Sequence, residues 1–168
     1  EVNGQAILRR AAEVAAAGMH GLLLTGSAGT GKTMIAKRIP TILPGLTREE
    51  DIEISRIYSI CGLLPAGRPL LSERPFRSPH HTITARALAG GGVPPRPGEL
   101  SLASGGVLFL DELPHFSPFA VEILRQPLEE RKITVTRVSG NYEFPADFMM
   151  VAAMNLCPCG FYPDRNRC

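Results

Sequence analysis

Apolar positions along the chain come in two textures, helical spacing and short unbroken runs. Residues 5–17 (QAILRRAAEVAAA) are Ala-rich and free of Gly and Pro. Within them Ala6, Ile7, Ala11 and Val14 recur at helical spacing, and Gly18 stands where a helix takes its C′ stop. Residues 20–25 (HGLLLT) are a continuous apolar run, which predicts a strand buried on both faces. A Gly-rich turn follows, then TMIAKRI (33–39), read as a helix ending at Pro40. Strand, glycine turn and helix make the opening half of a βαβ unit. A second helix is expected over 47–60, with Thr47 and Glu50 at capping-box spacing.

Further along, residues 98–104 (GELSLAS) read as a short helix and 107–110 (VLFL) as a second buried strand. Ser117-Pro118 is an N-cap followed by Pro at the first helical position. It opens a helix through FAVEILRQPLEE, with Pro127 expected to distort the last turn. Residues 133–138 alternate β-branched side chains with others, Ser139-Gly140-Asn141 makes a turn, and 142–144 return, which predicts a β-hairpin. Residues 148–154 (FMMVAAM) read as a third buried strand, ending at Asn155. Buried strands alternating with helices define an α/β domain.

Composition changes this picture little. The 168 residues are 44% hydrophobic and 20% charged, enough for one core-forming domain and inconsistent with disorder of the whole chain. The formal charge of +2 excludes neither nucleic acid nor a small molecule, because it averages over the chain. Residues 55–98 carry seven of the 15 prolines and six Arg against one Glu, a local +5, with His80 and His81 beside them. That stretch is too long and too basic for a passive linker. Its densest cluster, Arg74, Arg77, His80 and His81, suits DNA, a neighbouring subunit's nucleotide or the ordering of a loop, and the sequence does not choose between them. As a metal site the His pair lacks an acidic or thiol partner nearby in sequence. No apolar run approaches the ~20 residues of a membrane span. The first residues do not resemble a signal peptide, and the four Cys do not form a secretory disulfide framework, so the expected compartment is the cytoplasm.

Candidate chemistry concentrates in four places. Gly26-Ser27-Ala28-Gly29-Thr30-Gly31-Lys32-Thr33 matches G-x-x-x-x-G-K-[ST] between a buried strand and a helix. Such glycines let backbone amides wrap an anion, and the helix beginning near Lys32 adds its positive end. Lys32 supplies a point charge for β and γ phosphates, and Thr33 a hydroxyl for Mg²⁺; Met34 completes the expected nucleotide-binding segment. Asp111 and Glu112 end a hydrophobic strand at the edge where ligands bind parallel sheets. Asp111 is expected to hold the Mg²⁺ shell and Glu112 to polarise the attacking water. Asn155 ends another strand and can position the same water. Arg131, Lys132 and Arg137 on or beside the hairpin suit phosphate contacts, and Tyr142 suits base stacking.

Together with NGQAILRRAAEVAAAGMH, RPFRSPHHTIT, RPGELSLASGGVLFLDELPHF, LRQPLEERKITVTR and FMMVAAMNLCPCG, these motifs resemble the magnesium-chelatase-like AAA+ ATPases of the ComM (YifB) type over essentially the whole chain. The P-loop, the Asp111-Glu112 pair and Asn155 then correspond to Walker A, Walker B and sensor 1. The resemblance implies a three-layer αβα P-loop fold with a mostly parallel sheet. It implies a hairpin before sensor 1, about residues 132–144, facing a central pore, and an insertion within the Arg-rich stretch. It also implies a hexameric ring in which hydrolysis of ATP to ADP drives movement on DNA, as in branch migration. The alternative is a chelatase- or MoxR-like ring that remodels a protein partner. Residues 1–168 are expected to run from the P-loop core through sensor 1 without arginine finger or helical lid, which implies weak hydrolysis by this chain alone. Cys157, Cys159 and Cys168 (C-x-C-x₈-C) are three thiols for a Zn²⁺ site that needs a fourth ligand. Leu156 departs from the Pro usual before the first Cys in this family.

Overall fold

The computed structural model of the chain describes residues 5–27, 29–67, 69–138, 140–157 and 166. Helix α1 (Ala6–Ala17) leads into strand β1 (Leu22–Thr25), the glycine turn and a short helix α2 (Lys32–Ala36). The expected helix over 33–39 stops early; after Ala36 the chain tightens into a 3₁₀ turn at Ile39–Thr41 that accommodates Pro40. Helix α3 (Arg48–Ile60) forms with its capping box complete: the Glu50 amide donates to Thr47 Oγ1 at 3.2 Å and the Thr47 amide donates to Glu50 Oε2 at 2.8 Å.

The Arg-rich stretch is built into the fold. It contains strand β2 (Phe76–Arg77), helix α4 (Ala85–Ala89), and the antiparallel pair β3 (Gly90–Gly91) and β4 (Arg96–Pro97). Helix α5 (Glu99–Leu102) and strand β5 (Val107–Leu110) follow. Instead of one helix over 119–130, the chain forms α6 (Pro118–Ile123) and α7 (Arg125–Glu130). The break comes from Pro127, which has no amide hydrogen and whose ring displaces the preceding turn. The discontinuity therefore lies at Leu124 rather than in the last turn; Leu124 bonds back to Val121, three residues away. Ser117 caps α6 as expected, accepting from the Ala120 amide at 3.1 Å. Strands β6 (Lys132–Arg137) and β7 (Gly140–Pro145) form the hairpin, Arg137 opposite Gly140, with Val138 fully exposed at its tip. Strand β8 (Met149–Met154) completes the chain's main sheet.

That sheet has the order β1-β8-β5-β2 with every pairing parallel. Alternate residues of β5 serve opposite faces, as the two-residue period of a strand requires. Val107 and Phe109 meet Ala15, Ala16, Leu24, Ala36 and Ile39 on one side. Leu108 and Leu110 meet Leu88, Leu100, Phe116, Ala120, Leu124 and Ile133 on the other. The result is helix, sheet, helix in three layers. Gly106 admits β2 to the sheet, because a Cβ there would collide with the Pro75 backbone, whose carbonyl accepts from the Val107 amide at 2.8 Å.

Three expectations change. Strand β1 is an edge strand of this sheet and Leu23 is half exposed, so it is not buried on both faces. Helix α1 buries Ala12, Ala15 and Ala16, leaving Ile7 and Val14 exposed. In so Ala-rich a helix, close approach of small side chains to the sheet outweighs burial of the two larger ones. Gly18 has φ −107°, and the left-handed residue at this helix end is Met19. Gly18 instead gives room for the His20 ring, which occupies the space a Cβ would take.

Candidate nucleotide site

The site lies where β1, β5 and β8 end side by side. The register sets Thr25 opposite Met154 and Leu110 opposite Ala152, so Gly26, Asp111 and Asn155 emerge on the same sheet edge. Buried apolar strands make that edge rigid, and the polar residues begin where the apolar ones stop. The loop between β1 and α2 turns through left-handed Gly29 (φ 78°) and Gly31 (φ 85°), conformations costly to residues with a Cβ. Thr30 Oγ1 donates to the Ser27 carbonyl at 2.9 Å, and Gln5 Nε2 donates to the Thr30 carbonyl at 3.2 Å. Ala28 lies outside the described residues.

Lys32 reaches back across this loop. Its Nζ donates to the carbonyls of Gly26 and Ser27, both at 2.8 Å, and to Asn155 Oδ1 at 3.2 Å. All three acceptors are neutral, so the ammonium is oriented while its charge stays available for an anion. Thr33 Oγ1 donates to Asp111 Oδ2 at 2.8 Å, and the other carboxylate oxygen accepts from the Glu112 amide at 3.0 Å. A hydroxyl and a carboxylate this close are hard oxygen donors of the kind Mg²⁺ takes, commonly with waters between. Gly29, Thr30, Gly31, Lys32, Thr33, Asp111, Glu112 and Asn155 line a cavity of about 320 Å³. Met34 stands outside that set, half exposed on α2. Since α2 spans only Lys32–Ala36, the positive character here comes from Lys32 and the loop amides more than from a long helix dipole.

Glu112 is backbone-strained, with φ 55° in the left-handed region. It opens the 3₁₀ turn Leu113–His115, and its side chain meets two imidazoles that sequence spacing does not bring together. His81 Nδ1 lies 3.4 Å and His115 Nδ1 3.3 Å from Glu112 Oε2. His81 stacks on His80 with ring centroids 4.1 Å apart and meets His115 at 5.5 Å. The acidic partner that the His pair lacks in sequence is thus supplied across the fold, by a residue 31 positions from His81. The only local signal was the three-residue spacing of Glu112 and His115.

Arg74 and Arg77 belong to the framework. Arg74 donates to the carbonyls of Pro44 and Gly105, both at 2.6 Å, and to that of Gly45 at 3.2 Å. It also pairs with Glu50 at 3.2 Å, tying the loop before α3 to the turn before β5. Burial works to raise the Glu50 pKa, but the Thr47 amide and the Arg74 guanidinium outweigh it, holding the carboxyl below its usual range. Arg77 grips Glu99 in a two-bond fork, 2.7 and 2.6 Å. Hydrogen bonding to Glu99 raises the Arg77 pKa against burial.

The hairpin residues are distributed differently. Lys132 Nζ is 2.8 Å from Glu143 and Arg131 is 3.4 Å from Asp147. Arg137 is exposed near the tip, its guanidinium lying over Gly91. Tyr142 sits opposite Val135. Cys157 is partly exposed; Cys159 and Cys168 lie outside the described residues, as does the zinc expectation that depends on them. No helix among the described residues is long and apolar enough to cross a membrane.

Residues 1–168 match the family magnesium chelatase, subunit ChlI, from end to end. The chain belongs to that family. Within it the chain is of the ComM type. It is 47% identical to the protein YifB of Escherichia coli K12 over 169 residues, which cover the whole chain and 33% of that protein. It is 47% identical to the competence protein ComM of Haemophilus influenzae over 162 residues, 96% of this chain and 32% of that protein. The chain therefore spans about a third of the length of these relatives. Among solved structures, NtrX of Brucella abortus in complex with ADP matches with a TM-score of 0.62 at 20% identity, over 94% of this chain and 31% of that one. At that identity the likeness shows a shared fold, a parallel central sheet with helices packed on its faces.

Proposed function

We propose that this ChlI-family chain is the ATP-binding core of an AAA+ motor whose hydrolysis of ATP remodels DNA. The observation that carries the nucleotide part is the convergence of Lys32, Thr33, Asp111, Glu112 and Asn155 on one sheet edge. In this reading the glycine loop and Lys32 bind the phosphates. Bound nucleotide draws Lys32 from the Gly26 and Ser27 carbonyls, and Asn155 keeps its ammonium aimed. Thr33 and Asp111 hold Mg²⁺, which neutralises phosphate charge. Glu112 accepts the proton of the attacking water, and Asn155 orients that water by its amide. The assembly is a ring of copies of this chain.

The DNA part is supported by the 47% identity to a protein named for competence and by the exposed basic tip at Arg137. A second reading, remodelling of a protein partner, is favoured by the ion pairs that already occupy Arg131 and Lys132. Forked DNA added to the protein at low salt separates them. The DNA reading expects higher phosphate release and binding that weakens steeply with salt. Unchanged phosphate release and no mobility shift sink it and leave the protein-partner reading. The nucleotide part is tested independently: Glu112→Gln is expected to retain Mg-ATP binding and lose turnover, and turnover at the wild-type rate overturns the assignment of Glu112.

A further inference from the structure

Two imidazoles beside Glu112 have no part in the nucleotide chemistry proposed above, and with its carboxylate they make a donor set. His81, Glu112 and His115 each offer one ligand atom, and these atoms all lie within 4.8 Å of one another. Both Nδ1 atoms address the same oxygen, Glu112 Oε2, at 3.4 and 3.3 Å. Those separations are long for charge-assisted hydrogen bonds, which favour about 2.7–2.9 Å. They match the spacing of neighbouring ligands around a tetrahedral zinc-sized ion, about 3.3 Å when each ligand is ~2.0–2.1 Å from the metal. His81 is oriented before any ion arrives. Its ring lies against His80 on one side, and the edges of His115 and Phe116 meet it on others. His80 is itself held by its Nδ1 contact with Thr82 Oγ1 at 2.9 Å. His115 is largely exposed, so a rotation of that one ring closes the set at little cost. Two imidazoles and one carboxylate suit zinc, cobalt or nickel ions and poorly suit Mg²⁺, which takes hard oxygen ligands.

We infer that His81, Glu112 and His115 form a binding site for a divalent transition-metal ion, separate from the Mg²⁺ position at Thr33 and Asp111, and that filling it withdraws Glu112 from the attacking water. The second half rests on Glu112 being the base, as proposed above. A metal at this site is an inhibitor: it uses the Glu112 oxygen that would otherwise accept a proton.

Co²⁺ titration of the 168-residue chain tests the site, with Cys157, Cys159 and Cys168 replaced by Ser to remove thiolate ligation. Visible d–d absorption without sulfur-to-cobalt charge transfer is expected at submillimolar free Co²⁺. His81→Ala and His115→Ala are each expected to weaken Co²⁺ binding at least about tenfold. Nucleotide affinity, read with a fluorescent ADP analogue, is expected to stay within about twofold in His115→Ala, which also reports that the variant is folded. Failure to bind Co²⁺, or equal binding by the parent and both His variants, overturns the site. Single-turnover release of labelled phosphate, which registers slow hydrolysis, then reads the consequence: Zn²⁺ in slight excess is expected to suppress it in the parent and not in His115→Ala. Metal that binds yet leaves phosphate release unchanged overturns the withdrawal of Glu112. Absence of labelled phosphate even at the slow rate expected of this chain alone overturns the function proposed above, while the cobalt titration still decides the site.

Discussion

The glycine loop at residues 26–33 and the Arg-rich stretch at 55–98 look alike in sequence: both are loop-forming and both carry cationic side chains. In the fold they use charge in opposite ways. Lys32 is held by two carbonyls and the Asn155 amide oxygen, all neutral, so its charge remains for a ligand. Arg74 and Arg77 are each matched to a carboxylate, Glu50 and Glu99, and fasten β2 and its flanks to the rest of the domain. A basic residue held by neutral acceptors is poised for an anion; one forked onto a carboxylate is a structural tie. The local +5 of the stretch therefore overstates its electrostatic reach.

Substitutions sharpen this contrast, the largest effect first. Glu112→Gln is expected to lower phosphate release by about 10²–10⁴-fold with nucleotide affinity retained. Equal loss of binding and turnover would instead mean that Glu112 holds the nucleotide. Lys32→Ala is expected to weaken ADP binding by about 100-fold, ~3 kcal/mol, since it removes a charged donor to phosphate. Thermal unfolding should hardly move, because Lys32 lies outside the hydrophobic core. Arg77→Ala should do the reverse: it strands the partly buried Glu99 carboxylate and should cost about 1–3 kcal/mol. Calorimetry should read that as a melting temperature lower by roughly 2–12 °C, with ADP affinity kept. Should Arg77→Ala abolish ADP binding in a folded protein, the contrast between the two regions collapses.

The Glu50–Arg74 tie predicts a pH dependence. The Glu50 carboxyl lies below its ordinary value of 4.5 in the folded chain. Its contribution to stability is thus complete above that value and lost as pH falls through it toward the lower folded value. Denaturant titrations at descending pH should show this loss in the parent and a shallower one in Glu50→Gln. The smallest effect belongs to the hairpin tip. Arg137→Ala should reduce the salt dependence of DNA binding by about one phosphate contact and leave folding unchanged. An unchanged salt slope would count against Arg137 as a DNA contact.

Legibility in the sequence followed how local each interaction is. The capping box of Thr47 and Glu50, the Ser117 cap and the hairpin depend on neighbours within a few residues, and all three formed. The direction of α1's buried face did not follow from spacing, because an Ala-rich helix has little apolar contrast to orient it and tertiary packing chose the small side chains. The break at Leu124 was displaced from expectation because a proline acts on the turn before it. Strand β2 is only two residues long and owes its place to pairing with β5 beside Gly106, which leaves no period for a sequence to display.

By itself the sequence determined the α/β class, the phosphate-loop motif and the polar residues that end two buried strands, because apolar periodicity and backbone chemistry are written in consecutive residues. Tertiary structure decided which charges distant in sequence meet. Arg74 meets Glu50 across 24 positions, Arg77 meets Glu99 across 22, and His81 and His115 converge on the strained Glu112. A side-chain pair is fixed by where the parallel strands bring distant segments together, and that register emerges only when the whole core packs.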